Sequence, residues 1–134
     1  IFAGTGAMGL EALSRGAAEA VFIDKVTGPI IRENGSRCHM ADRMKILKGD
    51  VSSSLRSLQG QQFDYIFMDP PYRKGYINEV LAMVFALGLP AKEAVIIAEH
   101  SVSESPDLSR FQEQCTLWKE KKLGAIVVSY LLCR

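Results

Sequence analysis

The sequence predicts an α/β fold: a Rossmann-like, mostly parallel sheet with helices on both faces and an antiparallel β-hairpin strand at its C-terminal end. Three observations carry that expectation. Short apolar runs alternate with amphipathic stretches along the chain, a glycine-rich turn opens the first helix, and the last two apolar runs are joined by Lys122-Leu123-Gly124. Alternating strands and helices call for right-handed crossovers, and so for parallel strands.

Taken in order, Ile1 and Phe2 close an opening strand that leads into Gly4-Thr5-Gly6-Ala7-Met8-Gly9. MGLEALSRGA then reads as a helix, with Met8, Leu10 and Leu13 at roughly helical spacing and Gly16 as its terminator. Residues 20–23 form a short strand ending in Asp24. Residues 29–39 read as a helix, since Pro29 suits a first turn. A strand over 44–47 ends at Gly49-Asp50, and a short helix over 51–58 follows. Residues 63–68 are a strand, and 76–87 a helix with Val80, Leu81, Val84 and Leu87 on one face, stopped by Gly88 and Pro90. An apolar strand over 94–98 ends at Glu99. After a polar loop over 101–109, residues 112–121 and 125–132 pair as the terminal hairpin.

A chain of 134 residues, 48% hydrophobic, fits one domain with a sizeable core, so residues 1–134 are expected to form a single unit. The first residues begin inside an element without an initiator methionine, which suggests a chain lacking its N-terminal segment. A net charge of +1 is itself uninformative; a dedicated nucleic-acid binder usually shows a strong basic excess, so any such partner must be met by a local patch. Cys38, Cys115 and Cys133 are far apart and odd in number; they suit neither a zinc site nor a disulfide framework, and are expected to be packing residues. A reducing cytoplasm fits that usage. No apolar run approaches the ~20 residues that would span a bilayer, and no signal peptide is expected.

Gly4-x-Gly6-x-x-Gly9 sits where a strand gives way to a helix, so backbone can approach a ligand closely and helix N–H groups face it. Asp24 ends the next strand, where a carboxylate can accept two ribose hydroxyls. A nucleoside-containing cofactor is therefore expected over the carboxyl ends of the first strands. On this evidence a dinucleotide is the default, and plain helix–strand packing explains the glycines alone. Asp50 ends the third strand and can accept from an adenine amine, or cap the helix that begins at Val51, or both.

Phe63 to Tyr76, FDYIFMDPPYRKGY, carries the sharper signal. Asp69 and the Pro70 carbonyl, whose direction is restricted by Pro71, are two rigid acceptors that match the hydrogens of a planar NH₂ group. Tyr72 offers a face on which a flat base can stack. Accepting both N–H bonds favours a pyramidal nitrogen and aims its lone pair at an electrophile, here the methyl of a sulfonium. Arg73, Lys74 and Tyr76 can meet phosphates and a flanking base, or form an ordinary solvated loop. Lys119, Lys121 and Lys122 read as a solvated edge, Trp118 as core, and His39 and His100 as surface or capping residues.

IFAGTGAMGLEALSRGA, VFID, GDV and FDYIFMDPPYRKGY together resemble the class I S-adenosylmethionine-dependent methyltransferases. Within them the chain resembles the RsmD type, which methylates the N2 amine of one guanine in small-subunit ribosomal RNA. The likeness extends to Asn34 in IREN, to Glu99 and to the terminal strand pair. It implies S-adenosyl-L-methionine as cofactor, its methionine part held by Gly4, Gly6 and the neighbouring backbone of Phe2, Ala3, Thr5 and Gly9. It places the ribose on Asp24 beside Lys25 and the adenine on Asp50 and Val51. Asp69 borders the cofactor, and Asp69, Pro70, Pro71 and Tyr72 hold the target base, with Arg73, Lys74 and Tyr76 toward the substrate. The implied partner is ribosomal RNA or a small-subunit assembly particle, with no metal, no membrane and a monomeric cytoplasmic enzyme. A DNA adenine or cytosine amino methyltransferase, an NAD-dependent dehydrogenase and a non-catalytic Rossmann-like module are the competing readings. The family's usual acid ahead of the opening apolar pair, and its extra N-terminal elements, have no counterpart in this sequence.

Overall fold

In a computed structural model that describes residues 1–71 and 75–134, the chain forms two compact units, residues 1–54 and residues 55–134. Unit 1 contains α1 (Ala7–Ser14), β1 (Ala20–Asp24), α2 (Gly28–Arg37), β2 (Met44–Lys48) and the start of α3 (Val51–Ser57). Unit 2 contains β3 (Phe63–Met68), α4 (Tyr76–Ala86), β4 (Pro90–Ser101), β5 (Cys115–Leu123) and β6 (Ile126–Cys133). The expected opening strand does not form. Ile1–Ala3 carries no ladder, although the Ala3 amide donates to the Ile23 carbonyl at 2.9 Å.

In unit 1, β1 and β2 pair in parallel from Ala20↔Met44 to Asp24↔Lys48, so Asp24 and Asp50 leave the same end of the sheet. Leu13 of α1, Phe22 of β1 and Ile31 of α2 form its buried core. Two glycines set how closely the helices approach: a Cβ on Gly9 would fall 2.2 Å from Phe22 Cε1, and one on Gly35 2.2 Å from Met44 Sδ. Arg43 extends Nη1 to the Ala17 carbonyl, 2.9 Å, and so ties the turn before β2 to the segment that follows α1. Helix α2 ends in a Schellman pair, Met40 N–H to Gly35 O and His39 N–H to Ser36 O. His39 holds φ 57 there, one of the few non-glycine types that tolerate it, so its capping role is as expected.

In unit 2 the strand order is β3-β4-β6-β5, with β3 and β4 parallel and β6 antiparallel to both its neighbours. Strand β4 runs from Pro90 to Ser101, well beyond the expected 94–98. Proline is tolerated as the first residue of a strand, so Pro90 begins an element as well as following a helix. The polar loop holds two 3₁₀ turns, Val102–Glu104 and Leu108–Phe111. Alternate residues of β4 and β6 are fully buried, as are Ile77, Val80, Leu81 and Val84 of α4.

Three side chains depart from expectation. Trp118 is 61% exposed, because β5 is an edge strand whose residues after Cys115 all face water. Cys38 is exposed, whereas Cys115 and Cys133 are buried as cross-strand partners. His100 is buried, its Nδ1 bonded to the Ser101 carbonyl and its Nε2 to Ser129 Oγ, both at 2.8 Å. A carbonyl only accepts, so Nδ1 carries the proton. No sequence pattern flagged the pairing, because its two residues lie on different strands.

Gly9→Ala tests the packing of unit 1. Alanine favours a helix by roughly 1 kcal/mol, but a 2.2 Å approach to a buried ring is shorter than any real contact, so strain wins. Urea unfolding is expected to show a loss of about 1–3 kcal/mol, partly recovered when Phe22→Leu is added. Equal losses with and without that second change would discount the contact.

Candidate cofactor and base-binding residues

Unit 1 assembles its candidate ligand surface around one carboxylate. Asp24 Oδ2 accepts from the Gly4 amide, 3.0 Å, and Oδ1 from the amides of Val26, 2.9 Å, and Thr27, 3.0 Å. The residue that ends β1 thereby fixes the glycine-rich turn and the start of α2 together. Gly4 and Gly6 adopt φ 59 and φ 84, which side chains rarely follow. The glycines have different tasks. Gly9 is a packing glycine, Gly6 faces Ile31, and a Cβ on Gly4 would meet nothing within 4 Å, so backbone there is open to a ligand. Asn34 of α2 donates Nδ2 to the Thr5 carbonyl, 2.9 Å, bracing the turn from a second side.

These residues fit an adenosyl cofactor. Open backbone at Gly4 suits a close approach, and Asp24 Oδ2 carries one of the amides where Oδ1 carries two, leaving it capacity for a hydroxyl. Lys25 is exposed beside it. Asp50 caps α3, accepting from Ser53 N–H at 2.8 Å and Ser53 Oγ at 3.0 Å. The capping role weighed for it is therefore present, and Val51 follows as the first residue of the helix.

In unit 2, Met68↔Ala98 is the last pair of the β3–β4 ladder, so Asp69 leaves β3 beside Glu99, which β4 still holds against Val128 of β6. Asp69 is exposed, Pro70 buried and Pro71 exposed. Desolvation of the Asp69 carboxyl, with the Glu99 charge second, pushes its pKa up. A shallow depression lined by Pro70, Pro71, Ile77, His100, Ser101 and Glu104 adjoins the prolines. The loop after β4 is tied to α4: Asp107 N–H donates to Asn78 Oδ1 at 2.8 Å, and Gly75 N–H reaches Glu104 Oε2 at 3.4 Å. Tyr76 is the first residue of α4 and partly exposed. Tyr72, Arg73 and Lys74 lie outside the described residues. Cysteine chemistry has no support in this unit, since burial pushes the Cys133 thiol up to about 11 and that of Cys115 upward too. Among the described residues there is no group of three or more metal-binding side chains, and no helix long and apolar enough to cross a membrane.

Asp24 gives a pH signature. Burial opposes its ionised form, but the amides of Val26, Gly4 and Thr27 outweigh that and hold the carboxyl below its usual range. A depressed folded-state pKa adds stability above the unfolded value, about 3.9, and that contribution is lost as pH falls through the folded value. Asp24→Ala is expected to cost about 1–2 kcal/mol at pH 7, after allowing for solvent screening of a part-exposed group. The gap between the two proteins should shrink below about pH 4. Unfolding curves from pH 7 to pH 3 measure it, and a gap constant across that range would contradict the assignment.

The chain matches, over residues 1–132, the model of a family described as "Conserved hypothetical protein 95". Ribosomal RNA small subunit methyltransferase D of Escherichia coli K12 is 32% identical over 127 residues, which is 93% of this chain and 62% of that protein. A Bacillus subtilis relative is 28% identical over 104 residues, 75% of this chain and 56% of its own length. The chain thus spans less than two-thirds of either relative. A solved Streptococcus pyogenes structure, described as a conserved hypothetical protein, superposes with a TM-score of 0.85 at 27% identity, covering 99% of this chain and 82% of that one. An RNA methyltransferase from Salinibacter ruber, solved with S-adenosyl-L-homocysteine, shares the fold at a TM-score of 0.71 and 13% identity, covering 98% of this chain and 76% of its own. The Rossmann-like α/β fold is that of these proteins, and the chain belongs to the "Conserved hypothetical protein 95" family, the RsmD-type class I methyltransferases that its motifs resemble.

Proposed function

We propose that residues 1–134 act as a single methyl-transfer domain. It moves a methyl group from S-adenosyl-L-methionine to an exocyclic amine of a nucleobase, guanine N2 of 16S ribosomal RNA. The observation that carries this reading is Asp69 emerging exposed at the carboxyl end of β3, followed by Pro70 and Pro71, in a member of this family. Its substrate is ribosomal RNA or an assembling small subunit, and it works as a cytoplasmic monomer.

In this reading Gly4 and Gly6, with the backbone of Phe2, Ala3, Thr5 and Gly9, hold the methionine part of the cofactor. Asp24 and Lys25 take the ribose, and Asp50 and Val51 the adenine. The bound cofactor supplies an electrophilic sulfonium methyl. Asp69 accepts an amine N–H, more strongly when its carboxylate is ionised, and the Pro70 carbonyl accepts the other. Tyr72 stacks on the base, while Arg73, Lys74 and Tyr76 contact the flanking strand. No protein base is required, since the proton can leave to water after transfer. Desolvation, with the Glu99 charge second, raises the pKa of Asp69, whose protonation gives the acid limb of the reaction.

Asp69→Ala is expected to lower the transfer rate about 10²–10³-fold, with cofactor affinity retained in calorimetry. Glu99→Gln should shift the acid limb of the rate profile to lower pH, because it removes a like charge from beside Asp69. Labelled cofactor offered with 16S RNA, small subunits and duplex DNA reads out the substrate. Label in duplex DNA alone would reject the RNA assignment, and binding heat with NAD but none with S-adenosylmethionine would reject the reaction.

A further inference from the structure

The β5–β6 hairpin displays aromatic rings and cations at an open edge of unit 2. The ladder register slips between Leu117 and Lys119, so Trp118 is an extra residue in β5. Bulges of this kind re-aim side chains. Trp118 meets the Tyr130 ring edge-on, centroids 6.5 Å apart, while Lys119 Nζ lies 5.1 Å from the same centroid. The contact holds Trp118 by its neighbour and leaves most of the indole in water, at 61% exposure. Aromatic pairs in cores do not keep so much open surface.

Register also sorts the charges. Cross-strand partners share a face. Lys119↔Tyr130 and Lys121↔Val128 therefore put both lysines on the Tyr130 side. Glu120 and Lys122 alternate to the opposite side, where they approach one another at 4.0 Å. The single acid of the lysine run is thus turned away, and the aromatic side is cationic. The same row continues from Lys121 through Val128 to Glu99, beside which Asp69 leaves β3. Three interstrand steps place Lys121 about 14 Å from Asp69 across one sheet face.

From this we infer that the Trp118–Tyr130 face, with Lys119 and Lys121, binds single-stranded RNA: the strand beside the nucleotide whose base is modified. The surface extends the RNA reading above and rests on it. An exposed indole face takes an unpaired base irrespective of sequence, and the two lysines take its phosphates. Lysines at a sheet edge can serve simply to discourage strand pairing, but that task needs neither a held tryptophan nor the segregation of Glu120.

Trp118 is the chain's single tryptophan, so its fluorescence reports on this surface alone. A short single-stranded RNA of mixed sequence, added without cofactor, is expected to quench it saturably, and more strongly than blunt duplex RNA. Followed by anisotropy of dye-labelled RNA, Trp118→Ala should weaken binding at least several-fold. Lys119→Ala and Lys121→Ala should each lower the salt slope by about 0.7. Asp69→Ala should leave quenching intact. Absent quenching, equal quenching by duplex, or a fluorescence shift that follows protein concentration alone would overturn the surface; the last would mark an interface between copies. Quenching in a chain that transfers no methyl group would uphold it while removing the reading of Asp69. Methyl transfer without quenching would do the reverse.

Discussion

Asp24 ends β1 with both carboxylate oxygens engaged by backbone, Gly4 on one side and Val26 and Thr27 on the other. The turn before α1 and the turn before α2 are separated by some twenty residues of sequence, and this carboxylate joins them. Charge-assisted bonds of this type are about twice as strong as neutral ones, and three of them converge on one side chain. The φ values at Gly4 and Gly6, the open face of the turn and the brace from Asn34 to Thr5 all sit on that frame. Any ligand that met such a turn without this frame would have to order it, at a cost in affinity.

Unit 2 solves a different problem, which is to place an acid at the carboxyl end of β3. Parallel pairing of β3 with β4 brings Asp69 beside Glu99, and desolvation, with the Glu99 charge second, disfavours ionisation of Asp69. Behind them the buried His100–Ser129 pair spans β4 and β6, satisfying polar groups where solvent cannot. The chain after β4 then returns to the start of α4 through Asp107 and Asn78. The start of α4 is therefore anchored by a bond nearly thirty residues away in sequence.

Much of the fold was legible because period and punctuation agreed. β1 and β3 fall where their apolar runs and terminal acids put them, and α4 ends at Gly88 as its pattern required. The candidate site was legible for a related reason: Gly4, Asp24, Asp50 and Asp69 all sit where a strand or turn ends, and such positions face outward in any α/β arrangement. The opening strand was misjudged: the Ala3 amide bonds to Ile23 of β1, but the segment from Ile1 to Ala3 builds no ladder. β4 was underestimated, since Pro90 and the polar residues after it look like a loop until Phe63 and Leu89 supply partners.

Cross-strand facts were beyond the sequence. Trp118 looked like core because tryptophan is apolar, yet an edge strand with a bulge turns it to water. His100 looked exposed because histidine is polar, yet alternation along β4 turns it inward to Ser129. The sequence by itself determined the order of elements, the turn glycines and the acids at the strand ends, since each depends on local backbone geometry and side-chain periodicity. Only the tertiary structure decided which glycine packs and which stays open, which acid meets which amide, and which face of the hairpin carries its cations. Those outcomes depend on register and distance between residues far apart in the chain, and no local pattern encodes them.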